Sequence, residues 1–121
     1  YCSEIYGGVI RKFSPALASL GTIVNPATYG TGLGSDAAGN LMQPDYYQRT
    51  VHYLDAAGNT LGQFVTTGAG YFPLWTPGAA DESSDHVYFV ADAYNWQIVL
   101  FNGSVVATQT QAWGGVKASF R

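Results

Sequence analysis

The chain repeats itself, and this limits what it can fold into more than any other feature. Three segments align without gaps: Cys2-Ser3-Glu4-Ile5-Tyr6-Gly7-Gly8-Val9-Ile10-Arg11-Lys12-Phe13, Gln43-Pro44-Asp45-Tyr46-Tyr47-Gln48-Arg49-Thr50-Val51-His52-Tyr53-Leu54 and Val90-Ala91-Asp92-Ala93-Tyr94-Asn95-Trp96-Gln97-Ile98-Val99-Leu100-Phe101. Each places an acid, a Tyr two residues later, an Ile or Val six later and a Phe or Leu nine later. The acids Glu4, Asp45 and Asp92 recur at intervals of about 41 and 47 residues. A period of this length is one supersecondary unit, which cannot bury its faces alone and must stack on its neighbours.

The residues around each acid say which unit it is. Residues 41–43 and 87–90 lead into the acid, and 9–13, 50–54 and 97–101 leave it, rich in β-branched and aromatic side chains that suit strands. A further strand is predicted at 20–24, 61–65 and 105–108. Asp-Ala-Ala-Gly-Asn occurs at 36–40 and 55–59, and in both the Gly can take the positive φ of a tight hairpin loop. Asn102-Gly103 is predicted to make the corresponding turn in the third copy. Ser14-Pro15 could cap a short helix over 14–20, but the other copies turn there, so a hairpin is expected. Residues 25–34 and 66–80, with their Gly, Pro and Thr, read as linkers.

The spacing and the strand content together predict an all-β chain of antiparallel four-stranded β-propeller blades. It forms a single segment over 1–121, with repeat cores near 2–24, 36–65 and 84–109. Ile10, Val51 and Ile98 are expected to be equivalent buried positions, as are Phe13, Leu54 and Phe101. Fewer than three full blades make an open arc, whose two end faces bear the apolar residues that neighbouring blades normally cover. Other protein chains, or further blades of a longer parent, are therefore the expected partners.

Composition narrows the function. Only 11% of residues are charged and the net charge is −3 with five Lys and Arg, which argues against a phosphate-binding face or an anionic membrane surface. No apolar run approaches the length of a membrane span. A low charge with abundant Thr, Ser, Tyr and Gly points to a secreted or extracellular protein. The chain starts at Tyr1 rather than Met, as a processed product or a piece of something longer would. Its single cysteine, Cys2, is read as a small apolar filler.

Asp92-x-x-Asn95-x-x-Ile98-x-x-Phe101, led in by Val87-Tyr88-Phe89-Val90-Ala91, resembles the core of an NHL repeat, and Gly39-Asn40-Leu41-Met42-Gln43-Pro44-Asp45 resembles its lead-in. The first copy departs from the pattern, with Glu4 for Asp and Gly7 for Asn. The resemblance implies blades of a closed ring, commonly six-bladed. It also leaves open a propeller enzyme, such as a metal-assisted lyase or lactonase.

No catalytic constellation stands out. The repeated acids are expected to be structural, accepting backbone N–H bonds around the following turn, because a site breaks a repeat more often than it obeys one. His52 and His86 lie on different copies outside any ligand motif, and no metal or other cofactor is predicted. Gly32-Leu33-Gly34-Ser35-Asp36-Ala37 fits a dinucleotide fingerprint only formally, without the flanking strand and helix that give it meaning. Asn102-Gly103-Ser104 fits a glycosylation acceptor just as formally. Of Tyr46, Tyr47, Tyr53, Tyr71, Phe72, Trp75, Tyr94, Trp96 and Trp113, most are expected in the inter-blade core. Tyr71, Phe72 and Trp75 in a linker, with Trp96 and Trp113, are the candidate binding residues, since Tyr and Trp favour interface hot spots. The preferred function is a non-enzymatic binding or scaffolding module inside a larger assembly.

Overall fold

The computed structural model describes residues 1–6, 8–24, 26–27, 29–64, 74–102 and 109–112. Every regular element among them is a β-strand. Strands β1 (Cys2–Ser3), β2 (Val9–Phe13) and β3 (Ser19–Val24) form a three-stranded sheet. Strands β4 (Gly34–Ser35), β5 (Leu41–Asp45), β6 (Thr50–Leu54) and β7 (Thr60–Phe64) form a four-stranded one. The third sheet is β8 (Pro77–Glu82), β9 (Val87–Asp92), β10 (Gln97–Asn102) and β11 (Gln109–Ala112). Each is an antiparallel meander with neighbours in sequence order, the topology of a propeller blade.

Four of the hairpins close with one five-residue turn. At 36–40 and 55–59, the Asp side chain accepts the backbone N–H of the Asn four residues on, and the fourth residue, Gly39 or Gly58, has φ of 85° or 92°. Ser14 and Ser83 repeat this arrangement, their hydroxyls accepting from Ala18 and Val87, with Leu17 and His86 at positive φ. Residues 14–18 are therefore a hairpin turn and not a helix: the Ser14 hydroxyl accepts in the turn. Just beyond this turn, β2–β3 and β6–β7 carry a bulge at the same place, after Lys12 and after Tyr53.

Among the described residues two clusters form the core, one in each junction between sheets. Ile10, Ile23, Leu41 and Leu54, with Leu33, fill the first. Met42, Val51, Phe64, Leu74, Ala80, Val90, Val99 and Phe101 fill the second, flanked by Tyr53 and Tyr88. Strand alternation divides the repeat between them. The residue six after the acid faces the following sheet, and the residue nine after it faces the preceding one.

This division corrects the expectation of uniform burial. Ile10 and Val51 are fully buried, while Ile98, which faces away from the second sheet, is half-buried. Leu54 and Phe101 are buried, while Phe13 is 38% exposed. The positions are equivalent, but the two at the ends of the arc have no sheet packed against them among the described residues. Cys2 likewise lies exposed on the edge strand β1 and fills no core.

The fourth strand emerges where a linker was expected. Strands β4 and β8 sit at the ends of the 25–34 and 66–80 segments and pack together across the second junction. Gly34 has no room for a side chain, as a Cβ there would lie 1.9 Å from the Ala80 carbonyl oxygen. The first sheet has no counterpart of these two strands among the described residues. The last strand of the third sheet is at Gln109–Ala112, later than expected, and 103–108 lie outside the described residues.

Candidate functional site

The site is built at one end of the sheets, where the acids, the turns that follow them and the linkers meet. Asp45 and Asp92 end β5 and β9 and are buried. Oδ1 of Asp45 accepts backbone N–H bonds from Tyr47 at 2.9 Å, Gln48 at 3.1 Å and Tyr29 at 3.4 Å. Asp92 accepts from the backbone of Trp75 and Thr76 at 3.0 and 2.9 Å, and from the side-chain amides of Asn95 and Gln97. Each carboxylate thus pins the strand, its following turn or that turn's side chains, and the linker entering the same sheet.

Burial alone would raise the pKa of Asp92. The Thr76 and Trp75 N–H groups, with the Asn95 and Gln97 amides, outweigh it and hold the carboxyl below its ordinary value. The structural expectation for the acids accordingly extends to the linkers. Glu4 differs, forming an exposed ion pair with Arg11.

The turn after each acid has a fixed shape. The fourth residue beyond it takes positive φ in all three copies: Gly8 at 60°, Arg49 at 56° and Trp96 at 51°. For Arg49 and Trp96 this left-handed backbone is unfavourable by about 1–2 kcal/mol. Linker and turn are also tied through the backbone, since the N–H groups of Tyr46 and Ala93 donate to the carbonyls of Tyr29 and Thr76.

On this frame the aromatics form an exposed rim. Tyr6, Tyr47 and Tyr94, each two residues after an acid, are all exposed, Tyr47 to 72%. Tyr29 packs edge-on against Tyr6 at 4.9 Å and tilts against Tyr46 at 5.5 Å. The Arg49 guanidinium lies 3.6 Å from the centre of the Trp75 ring, whose other neighbour is Tyr94 at 5.3 Å. Tyr46, Tyr47, Arg49 and Trp75 line a shallow cavity of about 210 Å³.

Of the candidate binding residues, Trp75 falls in this rim. Trp96 is 82% exposed at the end of the third sheet, beside a cavity of about 430 Å³ lined also by Ala91, Ala93 and Ile98. Tyr71, Phe72 and Trp113 lie outside the described residues. Sequence reasoning expected most aromatics in the core and did not single out Tyr46, Tyr47, Tyr94, Tyr29 or Arg49 as rim residues. The signal was the Tyr two residues after each acid, which belongs to the turn and points outwards.

The histidines serve local contacts. Buried His52 sits 3.5 Å from Asp45 through Nε2 and 3.3 Å from Gln63 through Nδ1. Exposed His86 contacts Glu82 at 2.8 Å. Among the described residues no three His, Cys, Asp or Glu side chains converge.

These sheets and their stacking define a β-propeller. A solved structure of virginiamycin B lyase from Staphylococcus aureus superposes with a TM-score of 0.70 at 12% identity, over 91% of this chain and 36% of that one. The chain thus spans about a third of that neighbour, and the likeness is one of fold. No protein-family model and no curated protein matches the chain.

Proposed function

We propose that the chain is an NHL-like propeller segment that binds protein within a larger, extracellular ring, using the aromatic rim as its contact surface. The observation that carries this reading is the rim itself. Tyr6, Tyr46, Tyr47, Trp75 and Tyr94 expose large rings on one end, with Arg49 stacked among them. Rigid Tyr and Trp rings with Arg are the residue types that dominate binding energy at protein interfaces. The acids at the same end are engaged in holding turns and linkers, a structural use rather than a reactive one. The open faces of the first and third sheets fit a module that works with further blades.

Peptides selected by display against the chain provide the test. They should bind a Tyr47→Ala/Trp75→Ala variant at least tenfold more weakly. Peptides that hold the variant within twofold would sink the rim as the binding surface.

A propeller enzyme is the second reading, favoured by the lyase named for the structural neighbour. It calls for acids or histidines from several blades converging at one end of the central channel. Virginiamycin B turnover by the chain, abolished by substituting such a residue, would replace the binding reading.

A further inference from the structure

Arg11, Lys12 and Arg49 are the Lys and Arg side chains of the described residues. Arg11 pairs with Glu4, and Lys12 lies over the Tyr1 ring. Arg49 is exposed, and among the described residues no carboxylate pairs with it. Its backbone is strained as well, with φ at 56° where the first copy of the repeat has Gly8 at 60°. Gly makes the same turn without strain, so the turn does not call for Arg. Strain of this kind persists mainly where a side chain serves a ligand.

The Arg49 guanidinium carbon lies 3.6 Å over the centre of the Trp75 ring. So close an approach lays the two planes face to face, and the N–H donors then point sideways, along the ring rather than into it. Arg49 lines the shallow cavity of about 210 Å³, whose other walls are Tyr46, Tyr47 and Trp75. Trp75 is fixed in turn, its backbone N–H donating to Asp92 at 3.0 Å and its ring packing on Tyr94 at 5.3 Å. The recess thus holds a planar fork of donors, set in place among phenol and indole rings. A carboxylate is the group that takes two parallel N–H bonds from such a fork.

We propose that this recess receives the side-chain carboxylate of one Asp or Glu within an extended segment of a partner protein. The inference rests on the reading of the rim as a protein-binding surface, and names the chemistry that the surface selects. A single acid follows from charge. The chain carries −3 overall and buries Asp45 and Asp92 at the same end, so a run of acids is repelled where one is paired. A place inside the segment, rather than at its C-terminus, follows from the extent of the rim. Tyr47, Tyr29 and Tyr6 continue it towards the first sheet, and Trp75 and Tyr94 towards the third. Aromatic or apolar side chains therefore flank the acid on both sides.

Random peptides displayed on phage, selected in parallel on the wild-type chain and on Arg49→Gln, provide the test. Wild-type selections should concentrate one Asp or Glu between aromatic or apolar residues, and Arg49→Gln selections should not. The selected peptides are then synthesised with free and with amidated C-termini. Exchanging the acid for its amide should weaken binding to the wild type about three- to tenfold, as for a partly exposed charge pair. The same exchange should change binding to Arg49→Gln by less than about twofold, since the cycle isolates the pair. Arg49→Gly, with the residue of the first copy, is the second variant should Gln disturb the turn.

Selections without an acid overturn the inference, as does an acid whose exchange costs as much on Arg49→Gln as on the wild type. Affinity that depends on a free C-terminus instead of the internal acid overturns it too. In each of these cases peptides that still need Tyr47 and Trp75 leave the rim standing. Peptides indifferent to Tyr47→Ala/Trp75→Ala, or a wild type that selects none, sink the rim and the recess together.

Discussion

Asp92 shows how one carboxylate sets the geometry of a whole end of the molecule. Replacing it with Asn keeps the shape but turns an N–H donor towards groups that already donate, leaving at least one unpaired. We expect a loss of about 1–3 kcal/mol in urea unfolding. The pH dependence has a definite sign. The folded-state pKa lies below that of the unfolded chain, so unfolding takes up a proton in the window between them. The stability due to Asp92 is complete above the unfolded value of about 4 and is lost as pH falls through the folded one. Urea midpoints measured from pH 6 down to pH 2 should fall less steeply for Asp92→Asn than for the wild type. Parallel curves would mean that the hydrogen bonds to Asp92 do not favour its charged form.

Residues in the sheets divide by the face they occupy. Val51→Ala and Phe101→Ala empty a packed junction and should each cost about 2–5 kcal/mol in urea unfolding. Ile98→Ala should cost under about 1 kcal/mol, because little among the described residues closes on the side chain. Equal losses at all three would show that the outer face of the third sheet is covered.

At the scale of the element, the edge strands β4 and β8 obey a rule opposite to that of the others. Strands β6, β9 and β10 were legible because β-branched and aromatic residues are frequent in them, and β5 because Leu41 to Gln43 precede their acid as Val87 to Val90 precede Asp92. Strands β4 and β8 read as linkers because Gly34, Pro77, Gly78, Ala79 and Ala80 are poor strand formers. Crowding explains their choice: where β4 and β8 approach each other, a side chain at Gly34 would strike backbone. Gly34→Ala should therefore cost about 1–3 kcal/mol or more by overpacking. Gly78→Ala, where an added Cβ meets nothing within 4 Å, should lie within about 0.5 kcal/mol of the wild type. Thermal melts of the two side by side check this; similar shifts would refute the crowding argument. The rim was half legible for a related reason. The recurring Tyr was visible in the repeat, but a period alone does not say whether a residue faces the next sheet or the solvent.

The whole molecule is a row of local meanders joined through two apolar junctions, and its repeated five-residue turn governs how that row assembles in time. Each such turn is closed by its own Asp or Ser, so a hairpin needs no second sheet to begin forming. Hairpins close in about 1–10 μs, whereas docking sheet on sheet must wait for both partners. The turns should then be in place at the rate-limiting step and the junctions still open. Asp55→Ala should slow refolding with little change in unfolding, and Val51→Ala should do the reverse. Stopped-flow rates across a urea series separate the two. A Val51→Ala variant that refolds slowly and unfolds at the wild-type rate would mean that the sheets meet before their turns are made.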